Sequence, residues 1–151
     1  MTINIYTDGA YRSSSEIGSW AFAIYSDDDL TSYHSQALEE VTNQQAEMFA
    51  VIRSLKHLED KETSDEDVYL HSDSAYVVNC IEKEWWKKWV ENDWKTSKGK
   101  DVKNKELWEE LLYYAILHKV IFVKVKGHSD NEQNNFVDKL CNDAMDNYSR
   151  K

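Results

Sequence analysis

Two distant stretches of this chain, "INIYTD" (3–8) and "DVYLHSD" (67–73), each read as a short strand that runs out on an aspartate. Between them lies "TNQQAEMFAVIRSLKHLE" (42–59). Its apolar residues Met48, Val51, Ile52, Leu55 and Leu58 recur at helical spacing behind Thr42 or Asn43 as an N-cap. A strand, a helix and a second strand can close as a parallel pair through a right-handed crossover. If residues 2–7 and 67–73 are such neighbours, Asp8 and Asp73 emerge at one edge of the sheet. That is the edge where open α/β sheets hold their ligands.

The remaining segments fit around that unit. "SWAFAIYS" (19–26) reads as a largely apolar strand and 31–37 as a polar edge strand, and their short connections predict an antiparallel meander after 2–7. "SAYVVNCIEK", 85–94 and 104–118 read as helices, with the polar "KTSKGKDV" between the last two. A strand over 120–127 and a helix over 134–148 close the chain. The class is α/β, a mixed sheet covered by helices. At 151 residues, without proline, repeats or a low-complexity linker, the expectation is a single domain over 1–151. No apolar run approaches the roughly 18 residues of a membrane span. The start enters a strand pattern directly, without the form of a secretory signal. Cys80 and Cys141 lie in helical patterns and form no ligand cluster, so buried thiols in a reducing, cytoplasmic setting are expected.

A net charge of −10 argues at first against a nucleic-acid partner. Its distribution argues otherwise. From Lys83 to Lys105 eight lysines face four acids, a local +4 that leaves −14 elsewhere. Exposed charges are screened beyond about 8 Å at physiological salt, so a partner at this segment senses the local patch. A solvated helical face is the plainer alternative.

Asp8 before Gly9 is also ordinary turn chemistry, and Asp73 is well placed to cap the helix after it. Glu47 sits one turn into the first helix beside an apolar face. Asp138 lies among Phe136, Val137 and Leu140 near the start of the last helix. A solvated helix position is the bland reading of both. If the four converge, one ionised pair at 4 Å costs about 4 kcal/mol at an effective dielectric near 20. Raised pKa values or bound divalent cations must compensate. An all-oxygen donor set favours Mg²⁺ or Mn²⁺ over zinc.

"YTDGA", "TNQQAEM", "LHSDSAYV" and "VKGHSDNEQNNFVD" together resemble, in order, the signatures of type 1 ribonuclease H. "WWKKWVENDWKTSKGKDVKNKELW" resembles the basic handle of its bacterial and host-type members, and the likeness spans nearly the whole chain. The resemblance implies a ribonuclease H-like fold: a five-stranded mixed sheet flanked by α-helices. It implies a magnesium-dependent endonuclease that cuts the RNA strand of an RNA–DNA hybrid. Asp8 would bridge two metal ions, Glu47 and Asp73 would complete one site, and Asp138 would help hold the other. His128 would assist proton transfer or product departure. Asn43, Gln44 and Asn134 would contact the hybrid, and Trp85, Trp89, Lys87, Lys88 and Lys95 of the handle (roughly 83–105) would hold the DNA strand. Recognition of RNA requires contact with the 2′-hydroxyl, and amide side chains, which donate and accept, suit that task. Gly9 would let metal and phosphate approach the backbone. No separate hybrid-binding domain and no obligate protein partner are evident, so a monomer is expected.

The chain departs from the family pattern in the loop after Asp8, "AYRSSSEIGSW", where Gly and Pro are usual. Ala75 stands where Gln is frequent, and Asn135 where an acid is common. Packing within the handle competes with base stacking as the role of its tryptophans, and His128 could be a plain loop residue. His34, His57, His71 and His118 read as structural. A nuclease for another substrate and a catalytically silent binding module on the same fold are the competing functions.

Overall fold

The computed structural model describes residues 2–59, 67–96, 98–125 and 131–148. Five strands, β1 (Thr2–Arg12), β2 (Ile17–Ser26), β3 (Asp29–Glu39), β4 (Asp67–Ser72) and β5 (Ile121–Lys124), form one sheet in the order β3-β2-β1-β4-β5. The first three run antiparallel as a meander, and β4 and β5 add in parallel beside β1. Helix α1 (Asn43–Glu59) is the crossover from β3 to β4. After β4 come α2 (Ala75–Glu82), α3 (Trp85–Glu91) and α4 (Lys105–Leu117), and α5 (Glu132–Asp146) closes the fold. The mixed sheet flanked by helices is the architecture the sequence implied.

Each face of the sheet has its own apolar layer. On one side Ile3, Ile5, Phe22, Val68 and Leu70 pack with Met48, Val51 and Leu55 of α1 and with Trp108 and Leu111 of α4. On the other, Ala21 and Ala23 pack with Val137 and Cys141 of α5. Strand β2 is therefore covered on both faces, and residues 17–24 are all buried. This explains its apolar run without alternation. Trp108 is fully buried and donates its indole N–H to the Tyr76 hydroxyl at 2.9 Å. A buried Trp needs such a partner.

The first strand does not end where its apolar run does. Its pairing with β4 stops at Tyr6↔His71, but its pairing with β2 continues through Asp8↔Ala21 and Gly9↔Trp20 to Arg12↔Ile17. Asp8 is thus a mid-strand residue at the point where the parallel neighbour runs out, not a turn residue. The other element ends moved too. Helix α3 stops at Glu91 rather than 94, because Asp93 and Trp94 adopt left-handed backbone, with φ of 55° and 59°. Helix α5 begins at Glu132, two residues before the expected 134, with Asn131 as its cap, accepting from the Asn134 N–H at 2.9 Å. Strand β5 covers 121–124, and residues 126–127 of the expected strand lie outside the described residues.

Candidate active site

Helix α1 is started by a reciprocal cap. The Thr42 hydroxyl accepts from the Gln45 N–H, and the Gln45 side-chain oxygen accepts from the Thr42 N–H, both at 3.0 Å. Thr42-x-x-Gln45 is the capping-box pattern, and it settles Thr42 rather than Asn43 as the N-cap. Glu47 then falls one turn into α1, facing β1. At the end of β4 the cap of α2 is Ser74, whose hydroxyl accepts from the Val77 N–H at 3.2 Å. The capping role considered for Asp73 is therefore filled by its neighbour.

Asp8, Glu47 and Asp73 each offer a carboxylate oxygen, and these oxygens all lie within 4.8 Å of one another. Asp8 is 6 % exposed and Glu47 8 %. Asp138 comes from α5 and lies close enough to Asp8 for its charge to favour the protonated carboxyl there. Together they border a cleft of about 460 Å³, along with Asn43 and Gln44. The structure thus brings together all four carboxylates and two of the amide candidates.

The organising donor is a backbone group. The Gly9 N–H points at Asp8 Oδ1 at 3.0 Å and at Glu47 Oε1 at 3.1 Å. The glycine is needed for α1, not for a ligand: a Cβ here would lie 2.6 Å from the Ala46 carbonyl carbon. The expected role of Gly9 in admitting metal and phosphate is corrected accordingly, since its bare face is filled by helix backbone. Gly9→Ala is expected to cost about 3 kcal/mol or more, because two rigid main chains must separate. Thermal denaturation measures it, and an unchanged melting temperature would contradict this packing.

Burial is the first cause of the site's unusual acidity. It lifts the Asp8 carboxyl from 3.8 to about 8, with the charges of Asp73 and Asp138 adding to the shift. Burial, then the charges of Asp8 and Asp73, raises Glu47 well above its ordinary value, against a smaller lowering by the Gly9 N–H. Among the described residues Glu47 Oε2 is buried and has no hydrogen-bond partner. A buried, acceptor-only oxygen without a donor is costly. Bound divalent cations remove that cost and the mutual repulsion together, so the oxygen-only donor set fits hard metal ions.

Other candidates sit differently. Asn134, expected to contact the hybrid, is 4 % exposed in the first turn of α5. The early start of the helix turns it inward. Trp85 and Trp89 are half-buried against the main core, and Trp89 packs on Trp94 and Trp108 with ring centroids 6.1 and 5.7 Å away. Both pack on the core while keeping part of their surface exposed. Lys95 bonds Asp101 across the bridge that closes the handle loop, which makes it a loop staple. Lys87 pairs with Glu84 at 2.9 Å and lies over the Trp86 ring at 5.6 Å, still half exposed. Lys88 is exposed. His128 lies outside the described residues.

Residues 1–146 match the family model described as RNase H. The chain belongs to the ribonuclease H family. It is 44 % identical over 150 residues to a ribonuclease H of Acetivibrio thermocellus, covering 99 % of this chain and 98 % of that one. Among solved structures it resembles LC9-RNase H1, a type 1 RNase H with the type 2 active-site motif, at a TM-score of 0.83. Identity there is 22 %, covering 98 % of this chain and 74 % of that one. It also resembles LC11-RNase H1 solved in complex with an RNA/DNA hybrid, at a TM-score of 0.75. Identity there is 24 %, covering 96 % of this chain and 97 % of that one. In each case the likeness runs over nearly all of this chain.

Sequence reasoning missed several contributors. The Gly9 N–H shared by two carboxylates could not be foreseen without the packing of α1. The Thr42–Gln45 box was readable from its spacing. A further contact, from Gln45 Nε2 to Asn104 Oδ1 at 3.1 Å, joins the catalytic helix to the start of α4 and had no sequence signal.

Proposed function

We propose that this ribonuclease H cleaves the RNA strand of RNA–DNA hybrids endonucleolytically with two bound metal ions. The observation that carries the reading is the carboxylate triad around an unpartnered, buried Glu47 oxygen. Asp8, Glu47 and Asp73 would hold one Mg²⁺, and Asp8 with Asp138 a second, Mn²⁺ being a substitute. Such ions supply charge stabilisation for the attacking and leaving oxygens and a hydroxide near neutral pH. The chain's own part is to hold the scissile phosphate over the cleft. Asn43 and Gln44 border that cleft and can address the 2′-hydroxyl that separates RNA from DNA. His128 would move a proton at the leaving group.

Lys87 and Lys88 on α3 are exposed and would meet the DNA backbone. Replacing both with Gln is expected to raise the KM for hybrid several-fold. It should also flatten the dependence of log KM on log salt by up to about two, since each neutralised phosphate contributes about 0.9 to that slope. An unchanged slope removes them from the interface. The chain would act as a single domain over 1–151 and as a cytoplasmic monomer. Both cysteines are buried as free thiols, in keeping with a reducing compartment.

One assay tests the activity: labelled hybrid, duplex RNA and duplex DNA incubated with Mg²⁺, Mn²⁺ or EDTA. Cleavage confined to the RNA of the hybrid, abolished by EDTA and by Asp73→Asn, is the expected result. Cutting of duplex RNA or DNA at a comparable rate would assign another substrate, and no cutting at all would favour a binding module.

A further inference from the structure

The stretch that departs from the family pattern, "AYRSSSE", carries Arg12 at the last position of β1. Its guanidinium forks onto α5: Nη1 donates to Asp146 Oδ1 at 2.6 Å, and Nη2 to Asn142 Oδ1 at 3.0 Å. Asn142 in turn donates from its side chain to the Asp138 carbonyl at 3.0 Å. Between the two ends, the Ser19 hydroxyl donates to the Cys141 carbonyl at 2.9 Å, and the Cys141 thiol points at the Asp8 carbonyl at 3.5 Å. Strand and helix are thus laced over one length. Four strand residues from Asp8 to Arg12 span about 13 Å, and eight helical residues from Asp138 to Asp146 about 12 Å.

We propose that Arg12 is a positioning residue that sets the axial register of α5 and thereby holds Asp138 beside Asp8. The inference rests on the reading of Asp138 as a metal ligand. At one end of the lacing, Asp138 of α5 and Asp8 of β1 border the same cleft. At the other end, the fork on two successive turns opposes sliding or rotation of the helix. An ion pair whose side chains are 35 % and 59 % exposed adds little to stability by itself. Its value lies in geometry, since a planar guanidinium fixes two acceptors at once where an ammonium would fix one.

The test uses the whole chain and four variants. Arg12→Gln is expected to raise the Mg²⁺ concentration for half-maximal cleavage about 10-fold, the scale on which residues behind metal ligands act. It should leave the KM for hybrid within about two-fold and shrink the Mg²⁺-induced rise in melting temperature of the substrate-free protein. Arg12→Lys, which keeps the pairing with Asp146 alone, should fall between. Asp146→Asn should shift the Mg²⁺ requirement in the same direction, and it provides the test if Arg12→Gln does not fold. Lys139→Gln removes the ion pair between Lys139 and Asp143 of α5 without touching β1, and should leave the Mg²⁺ requirement unchanged. An unaltered Mg²⁺ requirement in Arg12→Gln and Asp146→Asn overturns the proposal. So does an equal shift in Lys139→Gln, which would mean that any loosening of α5 suffices. If the wild-type chain cuts no hybrid and gains no stability from Mg²⁺, the underlying reading of the site fails instead.

Discussion

Asp8→Asn is expected to lower cleavage of the hybrid about a thousand-fold while raising the melting temperature of the metal-free protein. The two effects have one origin. Asp8 lies among Glu47, Asp73 and Asp138, and in the proposed two-metal site it would be the ligand both cations share. Losing a ligand whose metal stabilises the transition state by about 4 kcal/mol gives that factor, at 1.36 kcal/mol for each tenfold in rate. The neutral amide also removes a carboxylate disfavoured by burial. Relief of about 1–3 kcal/mol corresponds to a rise of several degrees for a chain of this length. Cleavage kinetics and thermal denaturation in EDTA check both halves. A variant that is inactive and also destabilised would mean that Asp8 holds the fold together, contrary to its environment.

The stability of the metal-free protein should fall as pH rises from about 4 to about 8. In the unfolded chain the Asp8 carboxyl titrates near 3.8, whereas in the fold it keeps its proton up to about 8. Between those values the folded state binds more protons than the unfolded state, so the slope of stability against pH is negative. Glu47 is shifted in the same direction and deepens the effect. The fall between pH 5 and pH 8 should reach about 1–3 kcal/mol, a fraction of the 1.36 kcal/mol per unit for one fully shifted group. Millimolar Mg²⁺ should restore the loss at pH 8 and do much less at pH 5, where it must displace protons. Melting curves at the two pH values, with EDTA and with Mg²⁺, measure this. A metal-free protein that is more stable at pH 8 than at pH 5 would place the carboxylates apart in solution.

Much of this arrangement was legible because it depends on local pattern. The period of Met48, Val51, Ile52 and Leu55 defines α1, and the two aspartates after apolar runs mark the edge where β1 and β4 part. What escaped depends on tertiary contact. Asp8 looked like a turn residue because the apolar run stops there. Only the pairing of Arg12 with Ile17 of β2 shows that the strand goes on. Asn134 stood out because it falls in the family's last signature between His128 and Asp138, and its burial behind the Asn131 cap needed the fold to be seen. Trp85 and Trp89 offered stacking surfaces to a reader of sequence, and the core took much of that surface. Lys95 counted as free charge until the handle folded back on Asp101. Side chains that point across elements cannot be assigned from the spacing along one of them.

The Cys141 thiol sits behind the active site, fully buried between α5 and the backbone of Asp8, and burial together with the nearby acids pushes it far from ionising. A thiol reagent can reach it only when the helix lifts away. The chain therefore carries a built-in stopwatch for local opening. Its modification rate in excess reagent counts how often the last helix leaves the sheet, and occupancy of the cleft by cations should slow that clock.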